Sequence, residues 1–165
     1  MTITTVGSDF FSHARSLTSV DFRGLSALTT AGGCFFSYAL SLTSVDLSGL
    51  GALTTIENYF FSDAHSLTSL DLRGLSALTT VGSDFFYHAC SLTSLDLSGL
   101  GALQTVGIFF FSGASALTSI LCHNEKQAQL IGNQYNGRVR ISVVQHPAAT
   151  DTAAVPASGN ASTVG

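Results

Sequence analysis

Asp21, Asp46, Asp71 and Asp96 stand 25 residues apart, and Leu121 takes the same phase once more. Carboxylates repeated at one period can solubilise a surface, meet a protein partner, or supply oxygens to calcium, which takes about six to eight of them. Two residues beyond each Asp the chain alternates, with Arg23, Ser48, Arg73 and Ser98 followed by His123. On the other flank Ser19, Ser44, Ser69, Ser94 and Ser119 repeat unbroken. No D-x-D-x-D-G loop favours calcium. Arg at every second turn offsets a carboxylate repulsion of about 1 kcal/mol per fully solvated pair. Recognition and simple solubility stand level on these residues.

Catalysis would need a nucleophile, a base and an orienting group to converge. His13 and His88 share a phase with Tyr38, Asp63 and Gly113, whereas His65 shares one with Arg15, Leu40, Cys90 and Ser115. Positions that vary so freely are read as facing solvent. Cys122 and His123 are adjacent, so strand alternation sends the thiol inward and the imidazole outward. The three cysteines, Cys34, Cys90 and Cys122, are odd in number and out of phase, which argues against a disulfide framework. No enzyme activity, metal or cofactor is expected. Threonine pairs at 29/30, 54/55 and 79/80, with a ladder at 18, 43, 68, 93 and 118, raise an ice-binding array as an option. Thr also fills a half-exposed pleat without any such role.

Charged residues make up 10% of the 165, against 45% hydrophobic, so Ser and Thr must carry much of the solubility. Six Lys and Arg against ten Asp and Glu leave a net charge of -4. Nucleic-acid binding is not expected, since it needs a basic face. Apolar runs are far shorter than the ~20 residues of a spanning helix. The opening MTITTVGSDFF lacks the pattern of a signal peptide. The chain is therefore expected at a cell surface or outside the cell if it is a fragment without its leader, and in the cytoplasm otherwise.

What must position these residues is a repeat. Val6, Ala31, Ile56, Val81 and Val106 mark its phase, as do the Phe pairs at 10/11, 35/36, 60/61, 85/86 and 110/111. In SLTSLDL, Leu92, Leu95 and Leu97 alternate with Ser94, Asp96 and Ser98, the pattern of a strand with one buried face. Leu103–Val106 predicts a second short strand. Between them Ser83 could cap a short helical turn from Asp84, with Phe86 and Ala89 inward. No unit buries its apolar edge alone, so units must stack.

SLTSLDL carries the LxxLxL core of leucine-rich repeats, and VGSDFFYHACSLTSLDL resembles the BspA-like, Treponema pallidum-type units, which read roughly I-G-x-x-A-F-x-x-C-x-x-L-x-x-V-x-I. Two departures stand out: Ala14, Ala39, Ala64, Ala89 and Ala114 replace the family's Cys, and a second Phe replaces a small residue. A larger Phe layer beside a smaller Ala layer roughly conserves core volume. The resemblance implies an α/β repeat solenoid: a right-handed leucine-rich-repeat of about five turns, with a parallel sheet on one face and short helical turns on the other. It further implies a non-catalytic protein-interaction or adhesion module, often at a cell surface; an intracellular scaffold is the alternative.

The solenoid is expected over residues 1–122, a C-terminal cap over 123–146 with a strand in RVRISVV, and a disordered tail over 147–165 that contains a glycosylation pattern at Asn160. The N-terminal edge, around Ile3, lacks a polar cap: either the chain is a fragment of a longer array or that edge pairs with something, end-to-end self-association among the options. The expected partner surface is the concave face bearing Ser19, Asp21, Arg23, Ser44, Asp46, Ser48, Ser69, Asp71, Arg73, Ser94, Asp96 and Ser98.

Overall fold

The computed structural model describes residues 2–133 and 139–144. The expected tail and the Asn160 pattern lie outside the described residues. The chain winds into a parallel-stranded solenoid in which equivalent residues of successive turns lie side by side. Threonine and a β-branched or small residue recur at the tight phase, giving β1 (Thr5–Val6), β2 (Thr30–Ala31), β4 (Thr55–Ile56), β6 (Thr80–Val81) and β8 (Thr105–Val106). These five form one continuous parallel sheet in the order β1-β2-β4-β6-β8, in register, with Thr5 beside Thr30 and Thr80 beside Thr105.

The Asp-bearing phase forms β3 (Ser44–Asp46), β5 (Ser69–Asp71), β7 (Ser94–Asp96) and β9 (Ser119–Cys122). One sheet was expected here, but the strands divide into β3-β5 and β10-β9-β7, where β10 is Arg140–Val143. The first turn, through Ser19 and Asp21, forms no strand. The solenoid is thus bonded at every junction along the threonine phase and only at alternate junctions along the Asp phase.

The expected helical turns do not form. Residues 8–13 and their equivalents are turns in which Phe11 N–H bonds Phe35 O at 2.8 Å and His13 N–H bonds Ser37 O at 2.8 Å, in the next turn of the solenoid. Those donors are then unavailable to the carbonyl four residues back, which an α-helix requires. Left-handed backbone at Asp9 and His13, repeated at Asp84 and His88, also breaks helical geometry. Asp and His are among the non-glycine residues that enter this region most often. The helix that is present, α1 (Glu125–Gly132), begins beyond the repeats, with Asn124 accepting Gln127 N–H at its start.

The core follows the sequence phases. Leu92, Leu95 and Leu97 are buried, and Phe86 and Ala89 are fully so. Phe35, Phe60, Phe85 and Phe110 stack at centroid spacings of 5.0, 5.5 and 5.2 Å. Phe36, Phe61, Phe86 and Phe111 make a second ladder at 5.2, 5.8 and 5.9 Å. The ladders meet edge to face, as Phe85 and Phe86 do at 84°. Such pairs add about 0.5–1.5 kcal/mol each beyond the area they bury.

Past the repeats, β10 pairs in parallel with β9, and Ile131 of α1 is fully buried. The Gln127 amide donates to Leu97 O and Leu100 O, so its burial costs no hydrogen bonds. Among the described residues, no helix is long and apolar enough to cross a membrane.

Candidate functional site

Alternation turns Val45, Leu70 and Leu95 toward the core and leaves Ser44, Asp46, Ser69, Ser94 and Asp96 exposed, with Asp71 half-buried. Register then aligns Ser44 with Ser69 and Asp46 with Asp71. Ser44, Asp46, Ser69 and Asp71 therefore share one face, with Asp96 beside them in one cleft and Asp21 and Arg23 beside Asp46 in another. Each Asp also closes the bend that follows it, accepting the N–H two residues on: Arg23 to Asp21, Ser48 to Asp46, Arg73 to Asp71 and Ser98 to Asp96, all at 2.8–3.0 Å. This local bend is a structural duty that spacing alone did not disclose.

The Arg and Ser alternation has a geometric counterpart. Arg23 donates Nε–H and Nη2–H to the Asp21 carboxylate, the latter at 2.6 Å, and Arg73 does the same to Asp71 at 2.6 Å. The guanidinium hydrogen bonds hold both carboxyls well below the usual range, at about 2, while each Arg is raised in turn. Ser98 Oγ bonds Asp96 Oδ1 instead. Asp46 and Asp96 thus lack a bonded cation.

Two adjoining clefts that share Asp46 lie on this face. One of 340 Å³ is lined by Val20, Asp21, Phe22, Arg23, Asp46, Ser48 and Gly49. The other, of 380 Å³, lies among Ser44, Val45, Asp46, Ser69, Leu70, Asp71, Leu72, Arg73 and Asp96. Among the described residues, no set of three or more His, Cys, Asp or Glu converges so as to hold a metal.

One cluster escaped the sequence reading. Asp63 is buried, at 8% exposure, although its phase was read as solvent-facing. Ser62 Oγ donates to its Oδ2 at 2.9 Å, and His88 Nδ1 and His65 Nε2 lie 3.3 and 3.4 Å from its Oδ1. Its negative charge pushes the Tyr38 hydroxyl up. The variability of the phase hid a contact that runs between turns: position 38 lies beside 63, and 63 beside 88. At the other noted pair, Cys122 is fully buried and His123 Nδ1 meets Ser98 O at 2.8 Å. Burial, with Glu125 nearby, pushes the Cys122 thiol up to about 11, which suppresses the reactive thiolate. The threonine hydroxyls just before β2, β4 and β6 turn onto protein: Thr29, Thr54 and Thr79 donate to the carbonyls of Thr4, Thr29 and Thr54.

In-register parallel strands, a leucine core and a 25-residue turn define a leucine-rich-repeat solenoid. The chain belongs to the BspA type leucine rich repeat family, which it matches in six copies over residues 1–118 and 29–147. No curated protein matches it. Among solved structures it is similar to a leucine-rich repeat protein of T. pallidum, with 21% identity and a TM-score of 0.61, covering 72% of this chain and 52% of that one. It thus spans about half the length of that relative. A leucine-rich cell surface protein of Faecalibacterium prausnitzii is 21% identical, with a TM-score of 0.45 over 74% of this chain and 37% of that one. A leucine-rich repeat protein from Bacteroides ovatus is 16% identical, with a TM-score of 0.39 over 77% and 42%.

Proposed function

We propose that the chain is a non-catalytic protein-interaction module that meets its partner on the Asp- and Ser-bearing face. The supporting observation is the alignment of exposed Ser44 and Asp46 beside Ser69 and Asp71 on adjacent parallel strands. A repeat surface of this kind offers one partner side chains from several turns at once. An adhesive role at a cell surface is proposed from family membership alone.

Ser44 and Ser69 point outward, so Ser44→Arg with Ser69→Arg changes the face without touching the core. Affinity capture from extracellular-matrix and cytosolic extracts should yield a partner that the wild type retains and this variant loses. Retention of every partner by the variant would overturn the reading. At the N-terminal edge, Ile3 and Phe10 are 54% and 61% exposed, which favours pairing of two copies there as a separate property. Sedimentation at rising concentration tests it, and a monomer throughout would contradict it.

A further inference from the structure

The two ends of the solenoid are finished differently. At the C-terminal end β10 lies beside β9, Ile131 of α1 is fully buried, and Phe110 and Phe111 are each 2% exposed. At the other end the first rung is open: Val6, Leu17 and Leu25 are half-buried, whereas Ile56, Leu42 and Leu50 at the same phases are buried. A cleft of 470 Å³ crosses this edge from Ile3 and Phe10 to Val20 and Leu25. Its walls are largely apolar, and Phe10 stands beside it as a projecting ring, 61% exposed.

The edge strand is also open in its main chain. Thr30 N–H bonds Thr4 O at 3.3 Å and Gly32 N–H bonds Val6 O at 2.9 Å, so these two carbonyls face β2. Alternation turns the N–H and C=O groups of Ile3, Thr5 and Gly7 the other way, and among the described residues none of them is bonded. In the Phe turn the open groups are all of one kind. Asp9, Phe11 and His13 N–H already bond Gly33, Phe35 and Ser37 O, which leaves the carbonyls of Ser8, Phe10 and Ser12 without a donor among the described residues. One row of carbonyls cannot pair with another, so a partner of the same sequence must approach along β1 and not Phe turn to Phe turn.

Resting on the two-copy reading of this edge given above, we propose that its occupant is a second copy of the chain, related by a two-fold axis through Thr5, with the two β1 strands antiparallel. Thr5 then exchanges both N–H···O bonds with Thr5 of the other copy, and Ile3 does so with Gly7, where even an added Cβ would meet nothing within 4 Å. The Phe turn follows β1 and the Leu25 turn precedes β2, so reversing the strand lays each over the other. The Phe10 ring of each copy thereby enters the cleft of its partner beside Val20 and Leu25. Donor with acceptor, and knob with cleft, thus lie on one patch, as a closed two-fold contact requires. A turn of 25 residues supplies the patch, within the range of about 20–30 residues a side of a standard interface. Head-to-tail continuation is obstructed, because β10 already holds the place beside β9.

Cross-linking and sedimentation together provide the test. Cys34→Ser with Cys90→Ser removes the accessible thiols, Cys122 being buried. In that background Thr5→Cys should form an interchain disulfide, since a hydrogen-bonded antiparallel pair sets its Cα atoms about 5.5 Å apart, within the disulfide range of about 4.4–6.8 Å. Ser69→Cys, exposed on the Asp-bearing face, should not. Sedimentation at rising concentration should stop at a dimer. Phe10→Ser and, separately, Ile3→Asp should each raise its dissociation constant at least about tenfold. Both side chains are more than half exposed, and an unchanged circular dichroism spectrum certifies each fold.

The outcomes separate the two claims. A dimer that Thr5→Cys fails to cross-link, or that Phe10→Ser and Ile3→Asp leave intact, overturns the two-fold geometry and leaves self-association standing. A series growing past the dimer does the same, and points to contact with the corner at Ile108 and Phe109, which are 60% and 59% exposed at the far end. A monomer at every concentration overturns both the inference and the two-copy reading beneath it.

Discussion

Arg73 donates its Nη2–H to Asp71 across 2.6 Å, and the strand holding this pair has no hydrogen-bonded neighbour toward Ser94–Asp96. The same pairing of Arg23 with Asp21 precedes the other open junction. Amide hydrogen exchange should report the alternation. Thr68 and Thr118 N–H, bonded to the preceding turn, should exchange at least about tenfold more slowly than Thr43 and Thr93 N–H, which are not. Uniform protection of all four would show a continuous sheet.

The Asp71 carboxyl, held at about 2 by Arg73, gives stability a defined acid dependence. Its folded value is depressed, so the contribution is complete above the ordinary 3.8 and is lost as pH falls from there toward about 2. An NMR titration should place Asp71 near the lower figure, and Arg73→Gln should move it up toward the ordinary one. A midpoint unchanged by that substitution would exclude the guanidinium as the cause.

Glycine tolerance should differ sharply between two neighbouring phases. A Cβ on Gly74 would lie 2.3 Å from Ser48 Cα and 2.4 Å from Ser48 O, whereas one on Gly51 would meet only Gly74 O at 3.8 Å. Ser26 and Ser76 already occupy the Gly51 phase, but 24, 49, 74 and 99 are all Gly. Gly74→Ala should cost at least about 1–3 kcal/mol by overpacking, and Gly51→Ala should be within about 0.5 kcal/mol of neutral. Thermal denaturation of the two variants gives the comparison.

Core and face should separate in the same way. Phe86→Ala or Leu95→Ala removes a buried rung and should cost about 2–5 kcal/mol in chemical denaturation. Asp96→Asn keeps the acceptor for Ser98 N–H and should change stability by less than about 0.5 kcal/mol. Equal costs would contradict the inward and outward assignment of this strand.

The rungs and the outward face were legible because each residue type recurs at one phase: a buried Leu97 and an exposed Asp96 are both read from period-two alternation. The Phe turns were not. Whether Phe11 N–H bonds within its own turn or to Phe35 O depends on the approach of the next turn, which local spacing does not encode. Asp63 was misread because its partners His65 and His88 vary in phase, although an acid set one period before a histidine was a usable hint. The split sheet had a trace in the alternation of Arg and Ser at 23, 48, 73 and 98, yet side-chain identity alone does not reveal which main-chain bonds are missing.

The most direct test of the binding face is site-specific photo-cross-linking during partner capture. A benzophenone side chain at Ser69, on the Asp-bearing face, is compared with one at Thr54, at an exposed position by the continuous sheet. Partner adducts should form from position 69 and be absent or weak from position 54. Adducts from position 54 alone, or equally from both, would contradict the assignment of the Asp- and Ser-bearing face as the site of interaction.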